Sequence, residues 1–339
     1  MEELVSVLMS VHNEKYEYLE TAINSICNQT YQNIEFIIID DASDKNCSSY
    51  LKELCKNHSM IKLFRNEMNL GLTKTLNIGI SHARGAYIAR MDADDYSCPQ
   101  RIERQVELMR QYPDIDILGT GVVSFGKQQV FMSPTNGFSN KEIQAELFFT
   151  STLCHPSVMI RCSFLERTGI KYDEDVKKGQ DYDLWERASI VGHLAVTSEV
   201  LLYYRLHDTQ ITSTNTKDQN FTATAVMKRR LSRIGIYPTD NEFHCHLALK
   251  GIGKEIIPLS DVEAWAKKIL YFNTQHTIAD ATVFNKNIHK RLVLYKIKSK
   301  QIPKISDICV IIKLIVGRIQ MQIKLRRNIK NISILNLQK

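Results

Sequence analysis

The chain has 339 residues, of which 44% are apolar and 24% charged, with only 14 glycines and 7 prolines. That composition excludes a disordered, collagen-like or linker-dominated chain, and the length fits two domains or one large domain with an extension. The net charge of +7 is unevenly placed: from Asn285 onward there are 14 Lys/Arg and one acid, Asp307, so this tail carries +13 and residues 1–284 carry −6. A basic tail on a mildly acidic body reads as an anchor for anionic lipid or nucleic acid. None of the eight cysteines falls in a CxxC pair, which fits buried thiols in a reducing compartment. The opening MEELVSVLMSVHN has acids where a signal peptide needs base, so export is not expected. No uncharged apolar run reaches the roughly 18 residues of a membrane span.

The first 125 residues alternate strand and helix signals. LVSVLMSV (4–11) is a β-branched apolar run, and Leu19, Ala22, Ile23, Ile26 and Cys27 then recur at helical spacing. IEFIIID (34–40) predicts a second buried strand, residues 47–57 a polar helix, and IKLF (61–64) a short strand. A helix closed by Gly85 follows, then a strand over 86–92. Ser97 and Pro99 suit a helix start, with Ile102, Val106 and Met109 on one face. DIDILGTGVVSF (114–125) predicts a further strand. Beyond it, 157–161 and 193–205 read as strands, with a helix beginning near Asp181 between them; from about 216 the pattern is helical and basic. Strands separated by helices imply parallel βαβ units with a ligand at the carboxyl ends of the strands.

Two acidic clusters sit at such ends. MDADD (91–95) places three carboxylates in four residues, a repulsive arrangement that a hard divalent cation relieves with oxygen ligands. Read alone, it is equally a solvated turn capping the next helix. IIIDDASD (37–44) ends another buried strand, so Asp41 faces the same crevice and can accept from a nucleobase or ribose, while Asp40 or Asp44 can cap the following helix. The first strand ends at Ser10-Val11-His12-Asn13, whose polar groups open into that crevice; the His12 ring is suited either to stack on a base or to ionise.

Taken together, these segments resemble glycosyltransferase family 2, the inverting nucleotide-sugar-dependent enzymes of GT-A fold. The resemblance runs over roughly residues 3–212, through VSVLMSVHNEKYEYLETAINSICNQTYQNIEFIIIDDASD and NLGLTKTLNIGISHARGAYIARMDADD. It implies that Ser10, His12, Asn13 and Asp41 hold the uridine part of a UDP-sugar donor. Asp92 and Asp94 match the DxD pair for ribose and metal-diphosphate, and Asp95 extends it, leaving the metal ligand among the three open. Arg90 is implied to face the diphosphate. GQDYDLW (179–185) resembles the segment that supplies the catalytic base, so Asp181 is implied to be that base. Gln180 stands where the family usually has Glu, and Asp183 is the local competitor, better suited to a charge in the first helical turn. Trp185 suits either the acceptor sugar or the core. In YYRLHDTQITS (203–213), His207 matches the histidine that often completes the metal site, and His155 lies in a stretch that shapes the acceptor site.

The implied organisation is a GT-A catalytic domain over 1–215 (nucleotide-binding half 1–125, acceptor half 126–215), a helical extension over 216–302, and a basic amphipathic tail over 303–339. The implied reaction is hexose transfer from UDP-glucose or UDP-galactose, with Mn²⁺ or Mg²⁺, to a lipid-diphosphate-linked or oligosaccharide acceptor, giving a β linkage in a bacterial O-antigen or capsule. In the tail, Ile305, Ile308, Ile312, Ile315, Ile319 and Ile323 share one helical face, which suits a peripheral helix on the anionic inner surface of the cell membrane or packing against the body or a second subunit. A nucleotidyltransferase would normally show a glycine- and base-rich phosphate loop, which SVHNEKYEY is not, and no GxGxxG follows the first strand as a dehydrogenase would need. A carbohydrate-binding protein with a degenerate site is opposed by the intact Asp92, Asp94 and Asp181. A nucleic-acid binder is opposed by the acidic body and by a tail without interleaved aromatics.

Overall fold

Continuous apolar runs become the inner strands of an open sheet, because a parallel strand is covered by helices on both faces. The computed structural model describes residues 2–56, 58–127, 137–207, 216–252, 256–300 and 307–334. Strands β1 (Val5–Val11), β2 (Ile34–Asp40), β3 (Ile61–Arg65) and β4 (Tyr87–Met91) are joined through α1 (Tyr16–Cys27), α2 (Lys45–Cys55) and α3 (Leu72–His82). β1 pairs in parallel with β2 and β4, and β2 with β3. Alternate side chains enter two different cores. Val5, Val7, Met9, Phe36 and Ile38 meet Leu19 and Ile23 of α1, while Leu8, Ile37 and Ile39 meet Leu76 of α3. At Gly85, between α3 and β4, an added Cβ would stand 2.6 Å from the Leu4 carbonyl oxygen and 2.7 Å from the Ser6 nitrogen, so the chains can cross there only at glycine.

After β4 come β5 (Tyr96–Ser97), α4 (Arg101–Gln111), β6 (Ile115–Gly126), α5 (Asn140–Glu146), β7 (Met159–Arg161), α6 (Cys162–Thr168), α7 (Gln180–Val191) and β8 (His193–Leu206). The sheet order is β3-β2-β1-β4-β7-β6-β8-β5. β7 runs antiparallel to β4 and β6, β6 and β8 are parallel, and β5 is antiparallel to β8. Two expectations change here. Ser97 does not start a helix: it pairs with Leu202 in β5, and α4 begins at Arg101, whose buried guanidinium bonds the Arg90 carbonyl at 2.7 Å. A two-residue strand is too short to carry a period, so only its partner reveals it. The strand expected over 157–161 is limited to Met159–Arg161, because His155–Ser157 form one 3-10 turn.

The remaining elements are α8 (Thr216–Ser232), α9 (Asp240–Lys250), α10 (Leu259–His276), α11 (Ala281–Lys298) and α12 (Ile308–Ile334). One apolar cluster runs from Leu8 and Ile37 in the sheet through Trp185 of α7 to Val226, Trp265 and Phe284. Helices α8 to α11 therefore complete the core of the sheet's one face. Among the described residues no helix is long and apolar enough to cross a membrane. Ile305 of the expected tail face lies outside the described residues.

Candidate active site

Strands β1, β2 and β4 end side by side, and their following turns form one edge of a cleft. Asn13 (φ +52°) and Ala42 (φ +54°) turn in the left-handed region. The Asn13 backbone donates to Ser43 Oγ (3.1 Å), and its Oδ1 accepts from the Asp44 nitrogen (2.7 Å), tying the two strand ends together. His12 is exposed; its Nδ1 lies 2.8 Å from the Asp41 carbonyl oxygen and so carries the hydrogen, while Nε2 accepts from Asn69 Nδ2 at 2.9 Å. Ser10 is half-buried at the end of β1. Asp41 is buried and accepts from Asn66 Nδ2 (2.8 Å), the Leu70 nitrogen (2.9 Å) and the Gly71 nitrogen (2.9 Å), so it holds the turn that launches α3. Asp44 caps α2 through the Cys47 nitrogen at 2.8 Å. Asp40 is paired with Arg65; burial works against its charge, but bonds from Ser43, Ser48 and Arg65 prevail and hold it below the usual carboxylate range.

Directly after β4, Asp92, Asp94 and Asp95 each bring one carboxylate oxygen within 4.8 Å of the others. Asp92 is ion-paired with Arg90, which is buried under the cleft and is no surface charge. Asp95 is fully buried: Oδ1 accepts from the Arg205 nitrogen at 2.8 Å, and Oδ2 has no hydrogen-bond partner. Burial, then Asp94 and Asp92, push Asp95 well above the usual range, and burial with Asp94 and Asp181 pushes Asp92 up against the pull of Arg90. His207 Nε2 stands 2.9 Å from Asp94 Oδ2, delivered by the β5–β8 pairing. Three crowded carboxylates, one with a buried oxygen lacking a donor, and an adjacent imidazole could hold a divalent cation that prefers oxygen ligands.

Asp181 occupies the first turn of α7, where Gly179 (φ +71°) turns the chain into the helix. Burial raises its pKa against the Tyr182 amide, Arg90 and the Ser151 hydroxyl. Asp181 in turn acts electrostatically on Asp92, Tyr172 and Cys154, so it lies near the acidic motif. Asp183 points elsewhere. It is buried and accepts from Arg187 Nε (2.8 Å) and Arg229 Nη2 (2.8 Å). Glu186, also on α7, accepts from Arg229 (2.6 Å) and Arg233 (2.5 Å) of α8 and the turn after it. The extension thus clamps the helix that carries Asp181.

His155 is buried with Nε2 2.6 Å from Tyr172 Oη, and burial, then Arg90, hold it neutral, well below its usual pKa. Its ring meets Trp185 edge-on at 6.0 Å; Trp185 itself is fully buried in the core, with its indole nitrogen unpartnered. Gln180 is buried at the start of α7. The loop before α7 is tied to α3: Asn77 bonds the Tyr172 carbonyl (3.0 Å) and nitrogen (3.1 Å), and Thr73 Oγ1 donates to the Val176 carbonyl (2.9 Å). One continuous framework therefore links Asp41, α3, Tyr172 and His155.

Several residues near the candidate site were not singled out from the sequence. Glu14 follows His12 and Asn13, and burial with Asp94 and Asp92 raises its pKa, with His207 opposing. Arg205 donates to the Asp94 carbonyl (2.7 Å) and lies over the rings of Tyr18 (4.2 Å) and Phe125 (4.4 Å). Glu14 adjoins a strand end and Arg205 stands two residues before His207, so position was the available clue; for Tyr172 and Asn69 there was none.

An open, mostly parallel sheet with an acidic triad at a strand end is an α/β architecture with its candidate site at the carboxyl ends of the strands. Comparison with known proteins agrees. Residues 6–169 match the model of the family described as glycosyl transferase family 2. An uncharacterized glycosyltransferase of Haemophilus influenzae is 31% identical, over 69% of this chain and 76% of the relative. The O-antigen biosynthesis glycosyltransferase WbnJ of Escherichia coli is 31% identical, over 61% of this chain and 81% of the relative. Among solved structures, S. aureus TarS residues 1–349 in complex with UDP-GlcNAc superposes with a TM-score of 0.60 at 15% identity, covering 89% of this chain and 93% of that one. The chain belongs to glycosyl transferase family 2, its catalytic sheet has the GT-A fold, and it is a glycosyltransferase.

Proposed function

We propose that the protein moves a hexose from a UDP-sugar, with inversion, onto a lipid-diphosphate-linked saccharide during assembly of a bacterial surface polysaccharide such as an O-antigen or capsule. The observation that supports the reading is electrostatic proximity: the Asp181 charge acts on Asp92, which is paired with buried Arg90 and crowded by Asp94 and Asp95. The role of WbnJ in O-antigen biosynthesis and the complex of TarS with UDP-GlcNAc support the pathway and the nucleotide.

Ser10, His12 and Asn13 border the uridine end. Asp41 uses three of its roughly four acceptor positions on the protein, leaving one for a base N–H or ribose hydroxyl. Asp92, Asp94 and Asp95, with His207, are the residues to hold Mn²⁺ or Mg²⁺, and a bound ion there neutralises charge on the departing UDP. Arg90, whose Nε has no hydrogen-bond partner, is the fixed cation beside that charge. Asp181 takes the proton of the acceptor hydroxyl as its oxygen bonds to the anomeric carbon. The bond from that carbon to the diphosphate oxygen breaks on the opposite face, so an α-linked donor yields a β-linked product and UDP. Gln180, His155 and Trp185 shape the acceptor side, His155 and Trp185 from within the wall. An acceptor confined to the bilayer sets the place of work at the inner face of the cell membrane, where the +13 tail suits anionic lipid.

The test is a panel of UDP-sugars with Mn²⁺ against GlcNAc- or GalNAc-diphosphate-lipid acceptors, the product linkage being read by NMR. A β-linked hexoside is expected. Retained α configuration, or transfer only from non-uridine donors, would overturn the reading.

A further inference from the structure

We infer that α12 lies in the headgroup layer of an anionic bilayer, its isoleucine face toward the acyl chains, while both ends stay locked to the catalytic body. The purpose of this arrangement rests on the lipid-linked acceptor proposed above; the arrangement itself does not.

The helix has two apolar faces, and only one is used by the protein. Val310, Leu314, Gly317 and Met321 recur toward the body, half-buried, and end at buried Leu325. On the other side Ile308, Ile312, Ile315, Ile319 and Ile323 are each 48 to 55% exposed, forming a stripe about 22 Å long. Lys313 and Arg318 are exposed on opposite flanks, each roughly 110° around the helix from the stripe. That is the section of a helix lying in a membrane surface, with cations at headgroup height on both sides of a buried face.

The lock is visible at both ends. Asp307, just before the helix, is buried with Lys296 Nζ at 3.3 Å and His289 Nε2 at 3.7 Å, both from α11. Near the other end Lys324 Nζ donates to the Ser198 carbonyl (2.6 Å), and Leu325 packs with Cys98, Val123, Phe125 and Tyr203. The stripe cannot turn inward without breaking both attachments. The occupant follows from charge: no acid occurs after Asp307, while Lys313, Arg318, Lys324, Arg326, Arg327 and Lys330 are basic. A second copy laid on the stripe would bring Lys313 and Arg318 of the two chains against each other, whereas anionic headgroups pair with them. Tyr203 belongs to β8, which also carries Arg205 beside Asp95, so the lock would hold the active site at a set height and tilt over the bilayer.

The full chain is to be floated with phosphatidylcholine vesicles containing or lacking phosphatidylglycerol, beside I312E/I319E and K313E/R318E. The native protein is expected to bind the anionic vesicles. I312E/I319E should bind about tenfold or more weakly, and K313E/R318E at least about fivefold more weakly per reversed charge. UDP-sugar hydrolysis should be unchanged in both, reporting an intact site. Native protein that ignores anionic vesicles, or I312E/I319E that floats like native, overturns the inference. So does a native dimer that I312E/I319E converts to monomer without any vesicle binding, since a second copy would then be the occupant. Flotation as expected, with no use of lipid-linked acceptors, leaves the inference standing and removes the acceptor reading instead.

Discussion

Replacing Asp181 by Asn removes the proposed base while keeping its size, so the change is expected to act on chemistry. Loss of a positioned general base costs about 10²–10⁴ in rate, or about 3–5.5 kcal/mol of barrier. The structure says why no neighbour should take over. Asp183, two residues on, has both oxygens committed to Arg187 and Arg229, and Asp92 is paired with Arg90. Asp183→Asn should therefore do the opposite: it takes one carboxylate from half-buried Arg229 and Arg187, which keep Glu186 and the Lys171 carbonyl, and lowers stability by about 1–2 kcal/mol, with little change in the chemical step of the folded fraction. The assay is sugar transfer at saturating donor, with UDP binding by calorimetry and unfolding by denaturant on the same samples. Because burial raises the Asp181 pKa, and the base must be deprotonated, native kcat/KM should fall as pH drops through a value above the ordinary carboxylate range. In the residual activity of Asp181→Asn that limb should shift, leaving only the protonation of the Asp92 and Asp95 cluster. Near-native transfer by Asp181→Asn, or an unchanged acid limb, would refute the assignment.

Excess EDTA should abolish transfer and Mn²⁺ restore it, while Asp94→Ala should not be rescued at any Mn²⁺ concentration, as seen in metal titrations of activity. Tyr172→Phe strips the partner from buried His155 and should lower stability by about 1–3 kcal/mol, read from the denaturation midpoint. Gly85→Ala would drive a Cβ into the Leu4 and Ser6 backbone and should yield a markedly less stable protein in thermal melts, although the residue lies outside the cleft.

The central strands and their order of appearance were legible because each is a contiguous apolar run, and burial on both faces imposes that pattern locally. The acidic groups at the ends of β2 and β4 were legible for the same reason: a strand end is a position along the chain. The start of α7 beside Asp181 was readable from helical spacing. What distinguishes Asp181 from Asp183 was not local. Both are first-turn acids, and the difference is Arg229, which reaches Asp183 from α8, 46 residues away. The same holds for β5, which exists only because Tyr203 and Leu202 lie beside it, and for the Tyr172–His155 bond. The isoleucine stripe was visible as a period, but period alone does not say which of two apolar faces meets the body. Packing at Leu325 and burial at Asp307 decided that the Val310–Leu325 face turns inward. Sequence patterns record how each segment divides water from core, whereas partner choice depends on which segments the fold brings across a gap, and that energy appears only once the chain has closed.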